Sequence, residues 1–219
     1  MNEIAVDVWS DVVCPWCYLG KRRFEAALAQ FPHRAAVRVR WRSFELDPAT
    51  PARSDVLVPD MLRTKMSLTD AQVTRSLEHI TALAAADGLA YRLAEARPVN
   101  TFDLHRLMHL ADSCSAGDAV REALMHAYTS EAADLSDREV LVGLAAEAGL
   151  APETAMRLLA GDEFAAEVRA DEALAERLGI RGVPAFVLSG RYVVSGAQPV
   201  EAFASALRRA WDEAALDRV

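Results

Sequence analysis

Two of the chain's three cysteines, Cys14 and Cys17, stand with two residues between them in the stretch Asp11-Val12-Val13-Cys14-Pro15-Trp16-Cys17-Tyr18-Leu19-Gly20. A C-x-x-C pair gains redox meaning when a strand leads into it and a helix leads out. Both signals are present: Ile4, Val6 and Val8 alternate with Ala5, Asp7 and Trp9, and a helical pattern begins at the first cysteine. With Cys14 at the N-cap and Pro15 at the first helical position, the proline's missing N–H costs nothing. The Cys14 sulfur then faces free backbone N–H groups at the positive end of the helix, which favours the thiolate, the nucleophilic form. Cys17, one turn on, can attack a mixed disulfide formed at Cys14 and close a ring with it. The column Cys17, Gly20, Phe24, Leu28, Phe31 predicts that Cys17 tops a buried stripe while Cys14 projects beyond the helix end.

Other uses of these thiols fit less well. Zinc sites take four ligands, and no second C-x-x-C or C-x-x-H follows, so no metal site is expected. A static bridge over so few residues would remove little entropy from the unfolded chain. Cys114, in Asp112-Ser113-Cys114-Ser115, reads as a half-buried small side chain near a helix end. Phe102, His105, His109 and Asp112 recur at helical spacing, and a hydrogen-bonded structural role is expected for this face in preference to a metal or proton relay.

The elements that must position the pair follow from periodicity. The motif helix should run to about Gln30, stopped near Pro32, and Val37 to Phe44 alternates as a second strand whose Arg38, Arg40 and Arg42 face suggests a sheet edge. These make a parallel, right-handed βαβ unit. From about Arg53 to Gly161 the period is helical. Thr69 with Gln72 and Ser136 with Glu139 form capping-box patterns, and Asn100 reads as an N-cap. Asp162 should cap a longer helix carrying Phe164, Val168, Leu174 and Leu178. Ala185 to Leu188, Ser189-Gly190 and Arg191 to Val194 then read as a hairpin, and Pro199 opens a last amphipathic helix. The order predicts an α/β thioredoxin fold with an all-helical insertion: residues 1–50 and 162–219 form the thioredoxin-like domain, and residues 51–161 the insertion.

Composition narrows the function. A hydrophobic fraction of 52% over 219 residues supplies an ample core. The net charge of −8 disfavours nucleic acid as a partner. Lys21-Arg22-Arg23 and the three strand arginines read as solvated faces, close enough to the motif to keep an anionic ligand open. No signal-peptide pattern or membrane-length apolar run is visible, so a cytoplasmic protein with no membrane partner is expected. There most thiols stay reduced, and a C-x-x-C is usually a cycling one.

The chain resembles the DsbA family, and within it the cytoplasmic FrnE-like branch. The resemblance rests on Ser10 to Tyr18, Trp41-Arg42-Ser43-Phe44-Glu45-Leu46, Asn100-Thr101-Phe102-Asp103-Leu104-His105-Arg106, Gly182-Val183-Pro184 and Ser195-Gly196-Ala197-Gln198. It implies thiol-disulfide oxidoreductase activity on Cys14 and Cys17, with protein or small-molecule thiols and disulfides as partners. No tightly bound cofactor is expected, and glutathione is a candidate co-substrate. Pro184 alone could be an ordinary trans proline opening a strand; the resemblance implies a cis Val183-Pro184 bond beside the dithiol, with the Val183 backbone open to an extended substrate. Pro15, Trp16, Val183 and Pro184 are thus candidate substrate contacts, as are Asn100, His105 and Arg106. A fainter similarity to glutathione-dependent isomerases and kappa-class transferases implies a different reaction, but those relatives typically carry serine where this chain keeps its cysteine pair.

Overall fold

Alternating side chains at the amino end build the centre of a sheet. In the computed structural model, which describes residues 3–216, β1 (Ile4–Ser10) pairs in parallel with β2 (Val37–Ser43) and antiparallel with β3 (Ala185–Leu188), which pairs antiparallel with β4 (Tyr192–Ser195). The order is β2-β1-β3-β4, so the arginine-bearing strand is indeed an edge. Ser189 and Gly190 have φ of 50° and 67°, the paired left-handed geometry of a tight hairpin turn that matches strand twist.

One face of this sheet is covered by α1 (Pro15–Ala29) and α9 (Val200–Leu216). Ile4, Val6, Val8, Phe186 and Leu188 pack there with Phe24, Phe31, Phe203 and Leu207. Phe186 lies 5.2 Å from Phe24 and 4.7 Å from Phe203, ring centre to ring centre. Each such ring contributes roughly 2–3 kcal/mol by burial. On the opposite face Trp9, Ala185 and Val187 pack with Ala175 and Ile180, and the Trp9 indole N–H donates to the Asp171 carbonyl at 3.0 Å.

The edge strand's charges are spent on neighbours. Arg38 pairs with Glu3 and Arg40 with Asp7, at 3.5 and 3.8 Å. Arg42 reaches Asp7 at 2.9 Å and Asp171 at 2.8 Å, and the second Asp171 oxygen accepts the Ser43 N–H at 3.1 Å. Burial alone would pull the Arg42 guanidinium down, but its bonds and charge contacts with Asp171 and then Asp7 outweigh that and hold it above its ordinary value. The solvated-face reading of the basic run after the motif needs correction at Lys21. Lys21 is only 2% exposed, its ammonium paired with Glu25 at 2.6 Å, while Arg22 donates to the Tyr18 hydroxyl at 3.1 Å.

The chain divides into two units, one made by residues up to Leu46 and from Asp171 on, the other by Asp47–Ala170. The second unit is helical: α2 (Val58–Met66), α3 (Asp70–Ala86), α4 (Phe102–Ser113), α5 (Gly117–Ser130), α6 (Arg138–Glu147), α7 (Pro152–Ala160) and the first turns of α8 (Ala165–Arg177). The Thr69–Gln72 capping box is formed. At α4 and α6 the cap sits one residue later than the sequence pattern, and α8 starts at Ala165, so Asp162 is not its cap. Asp137, not Ser136, caps α6, because the Ser136 hydroxyl bonds Asp134 while the Asp137 carboxylate takes the Glu139 N–H at 2.8 Å. Thr101 occupies the α4 N-cap, and Asn100 just before it accepts the Phe102 N–H at 3.0 Å. Phe164 does not join α8; it precedes the helix at φ 63°. Cys114 is exposed, not half-buried, at the end of α4. No helix among the described residues is long and apolar enough to cross a membrane.

Candidate active site

The strand β1 delivers the chain to a short loop, Asp11 to Val13, and the loop ends at Cys14 with φ −87° and ψ 110°, the extended geometry of an N-cap, followed by Pro15 in the first turn of α1. No side chain caps this helix. The Cys17 N–H closes the first turn on the Cys14 carbonyl at 2.9 Å. Cys17 then falls on the inward face, fully buried, with its sulfur accepting the Asp11 N–H at 3.4 Å. Burial pushes the Cys17 thiol well up. The hydrogen bond and charge of Cys14 add to this, the Asp11 N–H pulls the other way, and the Asp11 carboxylate pushes up again.

Cys14 is more enclosed than its position at the helix end suggests. It is 4% exposed against 0% for Cys17, so the expected contrast between an offered and a sheltered thiol is reduced to a small difference. The reason lies on the neighbouring strand. Trp9 is in register with Ala185, so the loop entering β3 meets the loop leaving β1, and the Cys14 thiol, instead of projecting outward, donates to the Val183 carbonyl at 3.7 Å across 169 positions of sequence. The Val183-Pro184 bond is cis. Both cysteines are free thiols.

The helix and this loop are pressed together at Gly20. A Cβ at Gly20 would stand 2.8 Å from the Pro184 Cγ and 3.6 Å from the Ala197 Cα. The Ser195-Gly196-Ala197-Gln198 stretch is fastened to the same place, since the Gly196 N–H donates to the Pro184 carbonyl at 2.8 Å and Arg23 of α1 donates to the Ala197 carbonyl at 2.8 Å. Trp16 is 38% exposed, the large apolar side chain that the motif itself shows to solvent, with Pro15 half-buried before it.

Thus the structure gathers Cys14, Cys17, Pro15, Val183 and Pro184 in the sheet-bearing unit, where Trp16 also stands. Asn100, His105 and Arg106 belong to the helical unit. There the Asn100 amide donates to the Pro48 carbonyl at 3.2 Å, and His105 is fully buried. Arg106 is 3% exposed and donates to the carbonyls of Leu158, Gly161 and Glu163 at 2.7, 2.7 and 2.8 Å, with Asp103 at 2.7 Å. Its guanidinium thereby satisfies carbonyls left over where α7 ends. The sequence reading also passed over Asp11, whose acidic side chain beside a run of apolar residues was the available signal.

Comparison with known proteins agrees with this geometry. The profile of the DSBA-like thioredoxin domain matches residues 5–208. A probable DsbA oxidoreductase from Streptomyces coelicolor, SCO1869, is 46% identical, superposes with a TM-score of 0.93, and is matched over 96% of this chain and 91% of that one. The uncharacterized protein YwbO of Bacillus subtilis is 27% identical over 206 residues, 93% of this chain and 96% of its own. The cytosolic disulfide reductase DsbM of Pseudomonas aeruginosa, solved with glutathione, shares the fold at a TM-score of 0.63 and 21% identity, over 94% of this chain and 98% of that one. The chain belongs to the DsbA-like thioredoxin family and is, by class, a thiol-disulfide oxidoreductase.

Proposed function

We propose that Cys14 is the attacking thiol and Cys17 the resolving thiol of a dithiol-disulfide exchange. In the oxidising direction a substrate thiolate opens the Cys14–Cys17 bond at the Cys14 sulfur, and Cys17 leaves and takes up a proton. A second substrate thiol then displaces Cys14, so two substrate thiols become one disulfide and the enzyme becomes a dithiol. The reducing direction runs these steps backwards. The observation that carries this reading is the placing of Cys14 at the uncapped helix start, with its sulfur on the Val183 carbonyl, while Cys17 is sealed below it. Burial holds Cys17 neutral between exchanges.

Substrate contacts are assigned to Pro15, Trp16, Val183 and Pro184. An extended thiol-bearing segment that displaces the Cys14 sulfur from the Val183 carbonyl could pair with that backbone and lie against the Trp16 ring. Glutathione is proposed as a small-molecule co-substrate, supported by the intact cysteine pair and by the DsbM relative solved with it. Turnover of a model protein disulfide in the presence of a dithiol tests the reading. Cys14→Ser should abolish it; persistence of that reaction in the variant, or robust glutathione transfer to electrophiles that does not need Cys14, contradicts it.

A further inference from the structure

Asp11 is 1% exposed, and a carboxylate so far from water needs a purpose and a partner. Its Oδ2 accepts the Leu46 N–H at 2.8 Å, tying the loop between β1 and α1 to the chain just beyond β2. Its own N–H donates to the Cys17 sulfur at 3.4 Å, and its carbonyl accepts the Cys14 N–H at 3.3 Å. One residue therefore touches both cysteines through its backbone while its side chain fixes where that backbone lies. We propose that Asp11 is a positioning residue for Cys17: its carboxylate, clamped on the Leu46 N–H, holds the loop N–H against the Cys17 sulfur that attacks in the resolving step.

The two parts of Asp11 act in opposite senses. The N–H favours the thiolate and the carboxylate disfavours it. The groups acting on Cys17 are Cys14 at the head of α1 and Asp11 on the loop; Lys21, one turn further along α1, is paired with Glu25. The inference rests on reading Cys17 as the resolving thiol. In that step Cys17 gives its proton to solvent and attacks the Cys14 sulfur of a Cys14–substrate disulfide. The Cys14–Cys17 bond forms, the Cys14–substrate bond breaks, and the substrate sulfur leaves as a thiolate that takes up a proton. An N–H held against the Cys17 sulfur favours the thiolate that makes this attack.

Asp11→Asn keeps an oxygen for the Leu46 N–H and removes the charge; Asp11→Ala removes both. In a Cys14→Ser, Cys114→Ser background Cys17 is the remaining cysteine of the chain's three, and thiolate absorbance against pH reads its titration whatever its role in exchange. The midpoint of Asp11→Ala should lie above that of Asp11→Asn because the N–H is no longer held in place. With Cys14 restored, release of the second thiol from dithionitrobenzoate reports the attack of Cys17 on the Cys14 adduct. At neutral pH this phase should be slower in Asp11→Ala than in Asp11→Asn, by about threefold for each tenfold loss of thiolate, since nucleophilicity rises with basicity. Equal midpoints in the two variants, or a higher one in Asp11→Asn, overturn the proposal. Separated midpoints with an equal second phase keep the hold of Asp11 on Cys17 and overturn the resolving role instead. Should Asp11→Ala not fold, Leu46→Pro removes the anchoring N–H with the charge retained; a raised midpoint supports the anchor and an unchanged one overturns it.

Discussion

Each thiol of the candidate pair has its own hydrogen-bond partner. Cys14 and Cys17 share a helix turn, yet one bonds the Val183 carbonyl and the other the Asp11 N–H. Gly20 governs the first of these contacts at a distance. The proline ring facing it cannot swing aside as a flexible side chain would, so Gly20→Ala should push the Val183-Pro184 loop away from Cys14. Overpacking of this kind costs about 1–3 kcal/mol. The exchange rate should fall about tenfold or more, since small misplacements near reacting atoms are expensive, with circular dichroism of the native form retained. A Gly20→Ala protein with wild-type exchange kinetics would remove this contact from the mechanism.

At the scale of elements, the position of the motif was legible because its signals agree. Apolar alternation, proline at a helix start and the Cys17-to-Phe31 column all specify one strand-helix junction, and the structure has it at Ser10 to Pro15. What brings Val183 there is a strand pairing far away in sequence, which local periodicity cannot encode; only the resemblance to a known family pointed to it. The helix α2 was read only as part of a helical stretch, without bounds: its stripe of Val58, Met61, Leu62 and Met66 spans little more than two turns, and of these only Val58 is buried. Arg106 illustrates a third limit, since a cation in a family-like stretch reads as a binding group until its carbonyl partners at the end of α7 are known. Its internal role can be measured. Arg106→Lys keeps the charge but not the planar fork, and should lower stability by about 2–3 kcal/mol in denaturant unfolding. Unchanged stability would contradict that internal role. Asp171, which grips Arg42 and the Ser43 N–H from α8, should cost about 3 kcal/mol as Asp171→Ala by leaving a half-buried guanidinium without its closest partner.

For the molecule as a whole, the buried Cys17 thiol links the redox centre to stability. Its ordinary value in the unfolded chain is about 8.5, and burial raises it in the folded one. Below about pH 8.5 both states hold the proton, and Cys17 adds no pH dependence. Above it the unfolded chain releases the proton while the folded chain keeps it, so stability of the reduced protein falls as pH rises toward the folded value, by up to about 1.4 kcal/mol per pH unit. Urea unfolding under reducing conditions at several alkaline pH values should show this slope, and Cys17→Ala should flatten it. The division of labour between attacking Cys14 and resolving Cys17 can be read by trapping. With Cys114→Ser throughout, the Cys17→Ser protein should accumulate a stable glutathione adduct on Cys14 when mixed with glutathione disulfide, read by peptide mass. Cys14→Ser should acquire an adduct on Cys17 far more slowly, and the protein with both thiols should pass to the Cys14–Cys17 disulfide without holding the adduct. Equal rates of adduct formation on the two cysteines, or faster formation on Cys17, would overturn this division of labour.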